Sequence, residues 1–268
     1  MNSSYITNLF QLTCVFCFLT QLPAKEAIET LSFDLEKMNV LIRQTAMPEM
    51  GDSRIEKILR RYYIEGRGGA ENWEKVESLR VAGTLKLETG EYELNAYQKK
   101  PHYIKMNIYG PQRDFLLGYD GKNAWQSSSK DKGTAQLMSE KDARRFIHSA
   151  HFGNHLLYPY AKGKTVSYID TVPVEGAICH QIRVLLDSDY QVDYFIDIRT
   201  YLEIKVANLD LRDNRSSSVV YTDYIREFGM PIAKKVSSYE NDEWVSDLTL
   251  DEVKVNSGLM PWMFEMPH

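Results

Sequence analysis

From Ser78 onward the chain settles into a period of two, and that rhythm constrains the fold more than any other feature. Leu79, Val81, Gly83, Leu85 and Leu87 alternate with Arg80, Thr84, Lys86 and Glu88. Successive side chains of a strand point to opposite faces, so the alternation marks a strand with one buried and one wet face. Turn signals then recur about every ten residues: Thr89-Gly90, Lys100-Pro101, Gly110-Pro111 and Asp120-Gly121. They leave strands of about eight residues, each roughly 26 Å long. Such even spacing predicts an up-and-down antiparallel meander. Asp-Gly, between Leu116-Leu117-Gly118-Tyr119 and Asn123-Ala124-Trp125, reads as a hairpin turn, because both residues tolerate the positive φ of tight turns.

The meander pauses at Ser139, which with Asp142 resembles a helix cap before an apolar stripe of Ala143, Phe146, Ile147 and Ala150. That helix is expected to fade near Gly153, with Tyr158-Pro159-Tyr160 leading out. Strands resume at Lys164, broken at Glu175-Gly176, Asp187-Ser188-Asp189, Arg199-Thr200, Asp213-Asn214, Gly229-Met230-Pro231 and Asn241-Asp242. The expectation is a mainly β protein with few helices, about eleven or twelve strands in one sheet. No linker rich in Pro, Gly or Ser interrupts it, so residues 51–268 read as one domain. An open sheet this wide curls. A helix capped by Asp52 or Ser53, with Ile55, Ile58, Leu59 and Tyr62 on one stripe, is the obvious plug for its concave face; Gly66-Arg67-Gly68-Gly69 stops it, and a short helical turn follows around Asn72 to Val76.

The N-terminus has another character. Leu9 to Leu22 carries no charge, ends at Leu22-Pro23-Ala24 and gives way to Lys25-Glu26. It is too short to span a bilayer, which takes roughly 20 apolar residues. Residues 1–24 therefore read as a secretory signal peptide, although its first eight residues hold no Lys or Arg, and 25–50 as an N-terminal extension. Cys14 and Cys17 would leave with the signal, and neither is preceded by a good lipid-attachment sequence. Cys179 stays, mid-strand, as a buried inert thiol. It cannot pair with His180 as a nucleophile, because strand neighbours face opposite ways.

Composition and motifs exclude more than they offer. The net charge is −5 and no stretch is strongly basic, so nucleic acid is not an expected partner. There is no Gly-x-Ser-x-Gly, phosphate loop, dinucleotide fingerprint or His-Glu-x-x-His. His148, His151 and His155 have a spacing that would stack three imidazoles on a helix face, as a zinc site would need. Gly153 and Asn154 end the helix first, so the three are expected at the surface. Asp193, Asp197 and Asp210 are spread along strands without forming an acid–base pair. No catalytic residue, metal or cofactor is expected. Trp125 is either a packing anchor or a wall of a ligand cavity.

The ordered set of Tyr119-Asp120-Gly121 with Trp125, Phe195-Ile196-Asp197 with Thr200-Tyr201-Leu202, and Phe228-Gly229-Met230-Pro231 resembles the outer-membrane lipoprotein carrier (LolA/LolB-like) superfamily, over about Arg54 to Pro267. The resemblance implies an unclosed antiparallel half-barrel of about eleven strands wrapped on helices, with an apolar cavity for acyl chains. It implies an exported, periplasmic protein that carries lipid or lipoprotein and catalyses nothing. No arginine matches the cavity arginine with which the carrier holds its lid. The alternation places Leu85, Leu87, Leu94, Met106, Ile108, Leu117, Ile196 and Ile204 on the inward face, with Trp125 as a further candidate for the ligand site. The alternative is the same fold with a filled core, serving as an envelope interaction module for a protein partner.

Overall fold

The computed structural model describes residues 50–129, 133–157 and 163–267. The expected signal peptide and nearly all of the extension lie outside the described residues, as does Tyr158-Pro159-Tyr160. Among the described residues no helix is long and apolar enough to cross a membrane.

Thirteen strands form one antiparallel sheet. The first half comprises β1 (Ser78–Leu87), β2 (Gly90–Lys99), β3 (Tyr103–Tyr109), β4 (Phe115–Tyr119), β5 (Ala124–Ser128) and the two-residue β6 (Gln136–Leu137). The second comprises β7 (Lys164–Val174), β8 (Ala177–Leu186), β9 (Tyr190–Asp197), β10 (Glu203–Asp210), β11 (Arg215–Glu227), β12 (Met230–Glu240) and β13 (Glu243–Val255). The spatial order runs β6 to β1, then β13 down to β7. Each half is a plain meander, and the first and last strands zip the halves together in the middle. The outer edges, β6 and β7, stay apart, so the sheet is not closed into a barrel. The sequence counted about eleven strands; the excess includes β6, too short to show a period.

The turns set the register. Glu175/Gly176, Phe228/Gly229 and Asn241/Asp242 all have positive φ, the paired left-handed geometry that matches strand twist in two-residue hairpins. Asp120 accepts the N–H groups of Lys122 and Asn123 at 2.8 and 2.6 Å, and Gly121 sits at φ 90°. The motif therefore turns the chain, with no chemistry of its own. Asp197 closes its turn likewise, accepting from Arg199 and Thr200.

Among the described residues three α-helices fill the concave side. α1 (Arg54–Arg61) opens on a capping box in which Ser53 and Glu56 each accept the other's backbone N–H. It buries Ile58 and Leu59 and widens into a π-helical turn, Tyr62–Gly66, that buries both tyrosines. A Cβ on Gly66 would stand 1.9 Å from the Tyr201 carbonyl oxygen, so only glycine lets this helix end touch the β9–β10 turn. α2 is Ala70–Lys75 and α3 is Glu140–Ser149, whose cap, Ser139, accepts from the Asp142 N–H. The expected stripe of α3 is buried in full: Ala143, Phe146, Ile147 and Ala150.

The convex face has a cover that the sequence did not announce. After β13 the chain crosses it as a 3-10 turn, Pro261–Phe264. Phe264 is fully buried there against Tyr103, and its carbonyl accepts the Trp125 indole N–H at 2.9 Å. Lys105 Nζ donates to the Met263 carbonyl at 3.2 Å. Gly118 lies opposite Trp125 in the ladder, and a Cβ there would stand 2.3 Å from the indole ring. Gly118→Ala should therefore displace a pinned ring and destabilise the fold by about 1–3 kcal/mol in urea denaturation. Unchanged stability would mean that the tail holds Trp125 only loosely.

Candidate functional site

At the seam where β1 meets β13 the interior is not completely filled. A partly open cleft of about 100 Å³ lies under Val81, Tyr221, Val236, Leu248 and Leu250, with Trp73 of α2 also lining it. Val81, Val236, Leu248 and Leu250 point inward from their strands, with a register break at Ala82/Gly83, so most of the wall is apolar. A dry cavity of roughly 150 Å³ takes up benzene. The cleft as it stands is smaller than that.

Three polar residues break that wall: Arg67, Gln98 and Glu203. Gln98 is buried and donates to the His151 carbonyl at 3.3 Å. Glu203 is buried and accepts from the Tyr62 hydroxyl and from Asn154 Nδ2. The Tyr224 hydroxyl donates to the Glu203 carbonyl at 2.6 Å. Arg67 Nη1 lies 3.7 Å from Glu203 Oε1, and its guanidinium sits 4.6 Å from the Trp73 ring centre. Burial alone would depress the Arg67 pKa, but Tyr62 and Glu203 offset it and the pKa is raised. Burial likewise pushes the Tyr62 phenol well above its ordinary value, with the Glu203 charge adding to it.

The sequence reading missed Arg67, because it lies in a glycine-rich reversal where periodicity says nothing. The nine residues expected at the site fall elsewhere. Leu85, Leu87, Leu94, Met106, Ile108, Leu117 and Ile196 come together on the inward face, buried in the hydrophobic core. Ile204 is half-buried beside the irregularity at Glu203/Lys205. Trp125 is fully buried under the C-terminal tail on the other face. None of the nine lines the cleft.

The histidines require a correction. They are not at the surface: His148, His151 and His155 are all buried. The His151 and His155 rings stack 4.3 Å apart at 12°, and His155 and His148 5.3 Å apart at 19°. His148 stacks on Tyr190 at 3.9 Å, and the Arg144 guanidinium lies 4.2 Å from that tyrosine ring. Chain reversal after α3, not helical spacing, brings His155 back onto the column. His148 Nε2 faces Asn208 Oδ1 at 3.1 Å, whereas both ring nitrogens of His151 and Nδ1 of His148 and His155 have no hydrogen-bond partner among the described residues. Burial holds His148 down to about 4 and His151 to about 3, and depresses His155 too. A pocket of about 20 Å³ adjoins the rings, enough for one water, and shares Gly153 with the larger cleft. The in-plane lone pairs of nearly parallel rings cannot converge on one ion. Among the described residues no group of three His, Cys, Asp or Glu could hold a metal. Cys179 is fully buried and burial raises its thiol to about 11.

An open antiparallel half-barrel packed on helices, with an apolar cleft at its central seam, defines a LolA-like fold. A LolA superfamily protein of Nitrosomonas europaea shares it at a TM-score of 0.51 and 12% identity, over 78% of this chain and 96% of the other. A candidate outer membrane lipoprotein-sorting protein domain of Vibrio parahaemolyticus aligns at 0.52 and 12% identity, over 78% and 95%. A DUF1329 family protein of Desulfovibrio piger aligns at 0.53 and 9%, over 78% and 95%. At these identities the likeness is one of fold. No family model matches the chain. No curated protein matches it in sequence.

Proposed function

We propose that this chain is an exported, periplasmic carrier-like protein that binds the acyl chain of a lipid or lipoprotein and catalyses nothing. The observation that carries the reading is the apolar cleft at the β1–β13 seam, open to solvent and lined by the strands that define the half-barrel. Each methylene buried there is worth about 0.8 kcal/mol before ordering costs. The fold shared with a lipoprotein-sorting domain and the uncharged run Leu9 to Leu22 point the same way. Native mass spectrometry of gently purified protein is expected to show a bound lipid, and a fluorescent fatty-acyl probe to compete with it. An empty protein that also rejects the probe would overturn the reading.

One observation favours a second reading. Seven of the residues expected to line a hollow are buried in the hydrophobic core and do not border the cleft. A half-barrel with a filled interior would serve as a docking module for an envelope protein, and would show no uptake of any acyl probe.

A further inference from the structure

Taken with the carrier reading on which it rests, the polar end of the cleft specifies the ligand's linkage. Arg67 lines the cleft, and among the described residues its guanidinium donates no hydrogen bond: Glu203 lies beyond bonding distance at 3.7 Å, and Nε is buried without a partner. The other donors on the wall are engaged: Gln98 with His151, Tyr224 with Glu203, and the Trp73 indole with the Arg67 carbonyl at 2.9 Å. A buried N–H without an acceptor is costly, and it is the kind of group a ligand completes. The charge of Arg67 is already matched by Glu203, 3.7 Å away on the same wall. The pair presents unfilled guanidinium N–H donors and no net charge.

We propose that this pair selects a neutral carbonyl, the ester or amide that links an acyl chain to its headgroup, over a free fatty-acid carboxylate. An ester carbonyl accepts a guanidinium N–H of Arg67 and leaves the ion pair balanced. A free carboxylate accepts it too, but adds a second negative charge beside Glu203 in a water-poor cleft, where like charges repel strongly. Arg67 and Glu203 are thus specificity residues of the cleft. They oppose each other: Arg67 supplies the bond and Glu203 bars the anion.

The test is displacement of a fluorescent acyl probe from the purified full chain at pH 8, by dodecanoate and by its methyl ester. The wild type is expected to favour the ester at least tenfold. Glu203→Gln keeps a side-chain oxygen for Tyr62 and Asn154 but removes the charge, and should swing the ratio at least tenfold toward the acid. Arg67→Met should weaken both compounds and, with Glu203 still charged, leave the ester preferred. A wild type that binds the acid as tightly as the ester sinks the inference and leaves the carrier reading standing. Probe uptake with no displacement by either compound also overturns the inference. Failure of the folded wild type to take up any acyl compound overturns both. The wild-type ratio decides the matter even if a variant fails to fold.

Discussion

Acid is expected to unfold this protein well above the pH at which its carboxylates titrate. In an unfolded chain the three stacked histidines have a pKa near 6.5. In the fold, burial lowers His148 to about 4 and His151 to about 3, and lowers His155 as well. Between those limits the unfolded state binds more protons, so the histidines' contribution to stability is full above pH 6.5 and falls as the pH drops toward 4. At pH 4.5, His148 and His151 should each remove roughly 2–3 kcal/mol. The surroundings sharpen the effect. The charges of Arg144 and Lys164 disfavour protonation of the stack, while on His148 the hydrogen bond to Asn208 and the charge of Asp210 work the other way. Lys164, whose ammonium donates to the His155 carbonyl, titrates at about 7 and is charged throughout the window. Tyr190, Tyr194 and Asn208 offer no countercharge. Urea midpoints at pH 7 and 4.5 measure the loss. A His148→Phe, His151→Phe double variant, which keeps the rings without the protons, should recover much of it. A wild type equally stable at both pH values would mean that the column is hydrated and opens freely.

Glu203→Ala should be among the most damaging single changes in the chain. It leaves the Arg67 guanidinium without its countercharge and takes the acceptor from the Tyr62 hydroxyl and the Asn154 amide, all in the interior. Removing one partner of a buried pair costs about 3–5 kcal/mol, mostly the penalty of the charge left behind. Denaturation of Glu203→Ala, Arg67→Met and the double variant separates the parts. The double variant should be more stable than Glu203→Ala alone. If the two losses simply add, the pair is not coupled and the residues act only as packing.

The strands were legible because each writes its own period: the alternation from Leu79 to Leu87 is a local record of one buried face. The turns were legible for the same reason, since Asp120-Gly121 and Asp197 satisfy their neighbours' N–H groups without help from afar. Inwardness was therefore correct for Leu94, Met106 and Ile108, but not which inward residues border the cleft. That depends on how α1, α2 and α3 fill the concavity, a matter of side-chain volume that alternation does not encode. Trp125 left two readings open because a strand shows which residues share a face, not what covers the face; the cover here is Phe264, at the far end of the sequence. The histidines were misjudged by treating the end of α3 as the end of order. The segment after Ser149 turns back and is buried, which no helix period could report.

The central pairing of β1 with β13, Leu79 beside Val255 and Leu85 beside Leu248, has a consequence for biosynthesis. A nascent chain leaving the ribosome can build twelve strands and still lack the middle of its sheet. Until the last strand is translated, β1 and β12 each carry a bare edge able to pair with another copy. Stalling or proteolysis ahead of Glu243 would therefore yield two sticky half-sheets prone to aggregation, not a slightly shortened protein.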